Sequence, residues 1–152
     1  YRVRLSLSYD GTIQLQHAEL NTITEPVTLI FSQEACATPS IFLAHKSSHR
    51  AVYDRAWQNA EAQGAFDSLF VNSAGKVTEG GRSNLFVRIG SQWFTPPVSD
   101  GVLPGIMRSV LLDDVLLQAQ ERSLSIDEVR QADEIIVCNA LRGALQARLS
   151  VT

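Results

Sequence analysis

Apolar and polar residues alternate where the chain opens: Val3, Leu5 and Leu7 lead into Asp10-Gly11, and Ile13 and Leu15 resume the alternation. Period two on both sides of Asp-Gly predicts a β-hairpin. Pro26 to Phe31 predicts a third strand with Val27, Leu29 and Phe31 on one face. After an apolar, strand-like run from Ile41, the period lengthens. Val52, Ala56 and Ala60, flanked by Tyr53 and Trp57, make an i, i+4 stripe that predicts a helix over His49 to Gln63, stopped by Gly64. Phe66 to Val71 then reads as an apolar strand, Asn72 to Gly75 as a turn, and Val77 to Glu79 as a short return strand. Asn84 to Val87 and Gln92 to Thr95 add two strands before a proline stop. Leu103-Pro104-Gly105 opens a second long helix, Ile106 to Leu117, with Met107, Val110, Leu111 and Val115 marking its buried side. Ser125 with Glu128 three residues later is an N-cap signature for a short helix through Gln131, and Glu134 to Cys138 is a buried strand. Two long helices among about eight short strands predict an α/β or α+β domain with a mostly mixed sheet.

Length changes this picture little: 152 residues suit one domain, 1–152, with no repeat or linker. Hydrophobic content of 45% and charged content of 19% belong to a chain that buries a core. A formal net charge of −3 gives no electrostatic case for nucleic acid or an anionic membrane. No apolar run approaches membrane-spanning length and no signal peptide opens the chain. Cys36 and Cys138 are isolated, which argues against a disulfide framework or a zinc site, and Cys138 closes an apolar run as a reduced core residue. A cytoplasmic enzyme acting on a small molecule fits these features.

Several residues carry possible chemistry. A helix beginning after Gly105 would present the backbone N–H groups of Ile106 and Met107 to an anion such as phosphate, although Pro-Gly also makes tight connections with no ligand. Arg108, in the first turn of that helix, is electrostatically misplaced unless an anion or a structural salt bridge accompanies it. Lys46 precedes a helix and follows an apolar run, where a partly desolvated amine can attack a carbonyl; the other reading is a solvated surface lysine. Lys76, in Ser73-Ala74-Gly75-Lys76, reads as an exposed turn residue. His45 and His49 are four apart but lack a third ligand nearby, so no metal site is expected.

Val77-Thr78-Glu79-Gly80, Ser83-Asn84-Leu85-Phe86, Thr95-Pro96-Pro97 and Leu103-Pro104-Gly105-Ile106-x-Arg108 occur in this order. Together they resemble the pyridoxal-phosphate enzymes of fold type IV, a family that includes branched-chain and D-amino-acid aminotransferases and aminodeoxychorismate lyase. The resemblance implies a pseudo-barrel around pyridoxal 5'-phosphate, with Lys46 as its Schiff-base lysine and Glu79 against the pyridine nitrogen. Asn84 would orient the cofactor, and Gly105, Ile106 and Met107 would hold its phosphate. Arg82 is left between solvent and a substrate carboxylate, and Arg108 between a ligand and a salt bridge. Asn139 could bond phosphate or substrate, or cap the turn that follows it.

Within that family, His45-Lys46-Ser47-Ser48-His49-Arg50-Ala51-Val52-Tyr53-Asp54 resembles the lyase portion of fused para-aminobenzoate synthases. Ala51 stands where aminotransferases of this fold tend to place a tyrosine. Cys138-Asn139-Ala140-Leu141 also resembles the lyase rather than the Gly-Thr or Ser-Thr of aminotransferases. The resemblance further implies a homodimer, a partnership with or fusion to a synthase component, and a small N-terminal domain preceding this chain. By that reading the chain is the large cofactor-binding domain, a phosphate-binding arginine comes from outside it, and alone it binds cofactor weakly and turns over poorly. An aminotransferase of the same fold and a catalytically silent fragment are the alternatives.

Overall fold

The alternation at the chain's start is a hairpin of β1 (Arg2–Leu7) and β2 (Ile13–Ala18), turned at Gly11 with φ 86°. The Asp10 carboxylate closes the turn by accepting from Thr12 N–H at 3.0 Å. In the computed structural model, which describes residues 1–34 and 50–150, this hairpin is a sheet of its own. Its register puts Val3, Leu5, Leu7, Ile13 and Leu15 on one face, each 61–68% exposed.

The main sheet runs β8 (Gln120–Glu121), β7 (Gln92–Thr95), β6 (Asn84–Ile89), β10 (Glu134–Asn139), β11 (Gly143–Leu149), β3 (Val27–Phe31), β4 (Asp67–Val71), β5 (Lys76–Gly80), β9 (Leu124–Ser125). It is mixed, as expected: β11, β3 and β4 are parallel, as are β7 and β8, and the remaining pairs are antiparallel. β5 and β6 are far apart in this order, yet a short turn joins them and they touch. The sheet therefore curls from β6 round to β5 into a half-barrel, in keeping with the pseudo-barrel that the resemblance implies.

Strand alternation fills both faces of that curl. Leu29, Leu69, Val77, Leu85, Val87, Val137 and Leu145 point inward, with Leu124 of β9 and Val129 of helix α3 (Ile126–Arg130) joining them. The intervening Phe70, Phe86 and Cys138 point outward. Helix α1 (Ala51–Ala62) covers Phe70 with Tyr53 and Ala56, and helix α2 (Ile106–Leu112) covers Phe86 and Cys138 with Leu111. Burial pushes the Cys138 thiol up to about 12, so it behaves as a core residue. Cys36 lies outside the described residues.

Two expectations need correction. α2 has seven residues and ends at Leu112, so only α1 is a long helix among the described residues. Asp113-Asp114 breaks α2: acidic groups oppose the negative end of a helix, and the Asp114 carboxylate instead accepts from Leu116 N–H at 2.8 Å. Val115 and Val110 are consequently 79% and 53% exposed and mark no buried side. Sequence periodicity also missed β11 and the two-residue strands β8 and β9. Among the described residues no helix is long and apolar enough to cross a membrane, and no cluster could hold a metal.

The capping box at α3 formed as its spacing predicts. Ser125 Oγ accepts from Glu128 N–H at 3.2 Å, and the Glu128 carboxylate accepts from Ser125 N–H at 2.9 Å. These bonds hold the Glu128 carboxyl below its usual value. Ser125→Ala is expected to cost about 1 kcal/mol in urea unfolding at pH 7. An unchanged midpoint would show that the cap contributes nothing.

Candidate active site

Glu79 reaches its position through a β-bulge. Leu69 pairs with Gly80 and Val71 with Val77, so β5 spends one more residue than β4 over the same span. Val77 points into the barrel; strict alternation would send Glu79 after it. The bulge turns Glu79 outward to the seam between β5 and β6, between α1 and the start of α2. There its carboxylate is 6% exposed. It accepts from Leu103 N–H at 2.9 Å and from the Asn84 amide at 3.2 Å.

Burial raises the Glu79 carboxyl to about 7, and the charge of Asp67 adds to the rise. The Leu103 N–H, the Arg50 charge and the Tyr53 hydroxyl oppose it. Near neutral pH this group therefore exchanges a proton readily, whereas an ordinary surface glutamate is fully ionised.

The turn after Glu79 satisfies its own backbone on every side. Gly80 N–H donates to Ser83 O at 2.7 Å and Gly81 N–H to Ser68 O at 3.1 Å. Arg50 donates to Gly81 O at 2.5 Å, and the Asn139 amide donates to Arg82 O at 3.1 Å. Paired glycines are required by space: a Cβ on Gly80 would lie 2.3 Å from Asp67 Oδ2, and one on Gly81 would lie 3.0 Å from Tyr53 O.

Asn84 couples this turn to α2. Its amide donates to Leu103 O at 2.9 Å as well as to Glu79, while its Oδ1 lies against Gly105, where a Cβ would sit 2.2 Å away. Gly105 is the N-cap of α2 and offers no side-chain bond to the first turn. The N–H groups of Ile106 and Met107 begin the helix, and the Ile106 side chain is exposed.

The structure thus brings Glu79, Asn84 and Gly105 together, with Ile106 and Met107 next to them. Lys46, His45 and His49 lie outside the described residues. Asn139 closes its own turn: Oδ1 accepts from Leu141 N–H at 3.0 Å and Arg142 N–H at 2.8 Å. That is the turn-capping alternative, here extended to the Gly80–Ser83 turn. Arg82 is half-buried rather than solvated, with its guanidinium 4.7 Å from the Trp57 ring and 4.2 Å from the Phe66 ring. It donates to Phe66 O at 2.5 Å, which uses it within the fold.

Arg108 is 4% exposed and takes the salt-bridge alternative, donating to Pro96 O at 2.8 Å and to Glu121. It is buried in α2 and its charge acts on the Cys138 thiol, which supports the salt-bridge alternative that the sequence left open. Sequence reasoning missed Asp67, Tyr53 and the Leu103 N–H as neighbours of Glu79. Arg50 and Tyr53 were visible only as parts of a motif, and Asp67 showed no signal beyond an acid heading an apolar run.

A cleft of about 1060 Å³ opens along Phe31, Ser32, Arg130, Asp133 and Arg148. The site at Glu79 is marked by a buried, protonatable carboxyl. Pyridoxal phosphate fits that chemistry, because a protonated pyridine nitrogen would give the buried Glu79 carboxylate a cationic donor beside the neutral Leu103 N–H and Asn84 amide. The helix start at Gly105 suits its phosphate.

Comparison with known proteins agrees. A Schizosaccharomyces pombe protein named provisionally as an aminodeoxychorismate lyase is 31% identical over 148 residues, covering 93% of this chain and 63% of its own length. A Legionella pneumophila structure described provisionally as a 4-amino-4-deoxychorismate lyase superposes with a TM-score of 0.81 at 30% identity, covering 90% of this chain and 52% of that one. A Mesorhizobium loti structure described provisionally as an amino-acid aminotransferase gives 0.82 at 29% identity, covering 97% of this chain and 72% of that one. The chain thus spans about two thirds or less of the two lyase-like relatives. The family model for amino-transferase class IV matches residues 5–149, and this chain belongs to that family, whose members of this fold depend on pyridoxal phosphate.

Proposed function

We propose that this chain carries the cofactor site of a lyase converting 4-amino-4-deoxychorismate to para-aminobenzoate and pyruvate. The observation that carries the reading is Glu79, a carboxyl buried at the β5–β6 seam and raised to about 7. When bound there, pyridoxal phosphate supplies an electron sink. Glu79 holds a proton at the ring nitrogen, and Asn84 fixes the direction in which that carboxylate faces. The amides of Ile106 and Met107, exposed by Gly105, take the phosphate. Lys46 is the residue that would hold the cofactor's aldehyde carbon, and its amine would serve as the general acid–base at the substrate carbon.

Two residues favour lyase over aminotransferase. Ala51 is an exposed first residue of α1 with no hydroxyl, and Asn139 holds its turn where a threonine would bind phosphate. The likeness to the Mesorhizobium loti structure supports an aminotransferase as the second reading. The working enzyme is read as a cytoplasmic homodimer, and under the lyase reading it works with or is fused to a synthase component. A small domain and the second subunit complete the pocket beside this domain.

The expected result is pyruvate release from 4-amino-4-deoxychorismate with pyridoxal phosphate and no keto-acid acceptor. A strict requirement for a keto acid would instead make the protein an aminotransferase. Lys46→Ala should abolish turnover and the visible absorbance of bound cofactor. Borohydride reduction and peptide mapping should find pyridoxyl on Lys46; label on Lys76, which sits beside Ser125 at the sheet edge, would overturn the assignment.

A further inference from the structure

A second carboxylate, Asp67, is fully buried behind Glu79. It heads β4 and accepts three hydrogen bonds: from Ser68 N–H at 2.8 Å, Arg82 N–H at 3.1 Å and Ser83 Oγ at 2.5 Å. Two of these donors belong to the turn that separates Glu79 from Asn84. Gly80 and Gly81 press on the same carboxylate so closely that any Cβ would lie 2.3 Å and 3.1 Å from its oxygens. An acid so placed is costly, because burial pushes its own carboxyl up against those three bonds. An apolar residue could fill the volume but could not hold two donors of one turn at a fixed spacing.

We propose that Asp67 is a positioning residue for Glu79: its carboxylate clamps the Gly80–Ser83 turn from inside the fold and so fixes how Glu79 and Asn84 face the pyridine nitrogen. The inference rests on the cofactor reading above for its consequence but not for its geometry. The clamp sets both ends of the turn at once. Glu79 leaves β5 at the bulge just before it, and Asn84 enters β6 just after it. Loosening Arg82 N–H and Ser83 Oγ would let the turn breathe, admit water to Glu79 and spoil the Asn84 bond. The groups that face Glu79 are Arg50 at the N-cap of α1, Tyr53 of α1, Asp67 of β4, the Asn84 amide of β6 and the Leu103 N–H ahead of α2, and a change at Asp67 leaves the others present.

The test uses the full chain with three variants. Asp67→Asn sets its amide NH2 either against Arg82 N–H and Ser83 Oγ, which share Oδ2, or against Ser68 N–H at Oδ1, so the three-donor set is broken in either orientation. Ser83→Ala removes one bond only and spares the fold. Val129→Ala truncates the barrel interior far from the turn and controls for general destabilisation. Carbon-13 NMR of the Glu79 carboxyl in the cofactor-free chain gives its titration midpoint, and fluorescence titration gives affinity for pyridoxal phosphate.

Asp67→Asn should move the Glu79 midpoint down and weaken cofactor binding about tenfold, with Ser83→Ala following in the same direction to a smaller extent. Val129→Ala should leave both unmoved. If Asp67→Asn shifts neither quantity more than Val129→Ala does, Asp67 is a core residue and the inference is overturned. If Asp67→Asn does not fold, Ser83→Ala decides by the same comparison. Failure to bind pyridoxal phosphate with the small domain and second subunit present would remove the proposed function, while the Glu79 titration in Ser83→Ala, which keeps the Asp67 charge, would still decide the role of Asp67.

Discussion

Glu79→Gln will make the cofactor-free protein more stable above pH 7 while removing most of its turnover. The carboxyl is raised from 4.5 to about 7 by burial. Below 4.5 folded and unfolded chains are both protonated and the full stability is present. Between 4.5 and 7 the unfolded chain releases its proton while the folded chain keeps it, so stability falls as pH rises. Above 7 the loss is complete and amounts to about 3 kcal/mol. Burial raises Asp67 in the same direction, which adds to the fall. Glutamine keeps an oxygen for Leu103 N–H and has no charge to desolvate, so the variant loses the Glu79 share of this pH dependence. It also cannot hold a proton at the ring nitrogen, and turnover should drop by roughly two to three orders of magnitude. Urea unfolding of both proteins at pH 5 and pH 8 checks the first half. Equal stability of the unaltered protein at the two pH values would sink it. A site that trades stability for function is expected to show opposite signs in the two measurements.

The parts of this fold legible in the sequence are those set by local rules. Asp10-Gly11 between alternating strands, Gly64 after the Ala56 stripe and Ser125 ahead of Glu128 each led to the expected element, because each depends on neighbours within a turn. The end of α2 was misread because Val115 continues an apolar period that Asp113-Asp114 interrupts through hydrogen bonding, which hydrophobic counting does not register. β11 was missed although Leu145 and Leu149 alternate with Gln146 and Arg148, because its pairing with β3 joins residues far apart in the chain. The site divides in the same way. Glu79, Asn84 and Gly105 were singled out through a motif resemblance, and what unites them in space is the Asn84 side-chain amide, which no spacing reveals. Arg108 looked available because a cation in a helix's first turn wants an anion, and Glu121 supplies it from β8. Asp67 was invisible because its partners come from a turn fifteen and sixteen residues later.

The Gly105→Ala variant tests that single contact. Gly105 has φ −70° and ψ 147°, ordinary extended backbone that alanine adopts without strain. The obstacle is Asn84 Oδ1, 2.2 Å from where the methyl would go. Asn84 cannot retreat freely, because its amide is bonded to Leu103 O at 2.9 Å and to Glu79 at 3.2 Å. Alanine should therefore expel the Asn84 side chain, break both bonds and leave the buried Glu79 short of a donor, at a cost of about 2–3 kcal/mol in urea unfolding. The helix start shifts with it, so affinity for pyridoxal phosphate should fall by roughly tenfold or more. Asn84→Ala alone loses the same two bonds without the collision and should cost about 1–2 kcal/mol. In the double variant the methyl introduced by Gly105→Ala meets no amide, so the destabilisation should approach that of Asn84→Ala alone and fall well short of the sum. Strictly additive losses would mean that Gly105 and Asn84 act independently, and that the link between the Glu79 seam and the start of α2 has been misassigned.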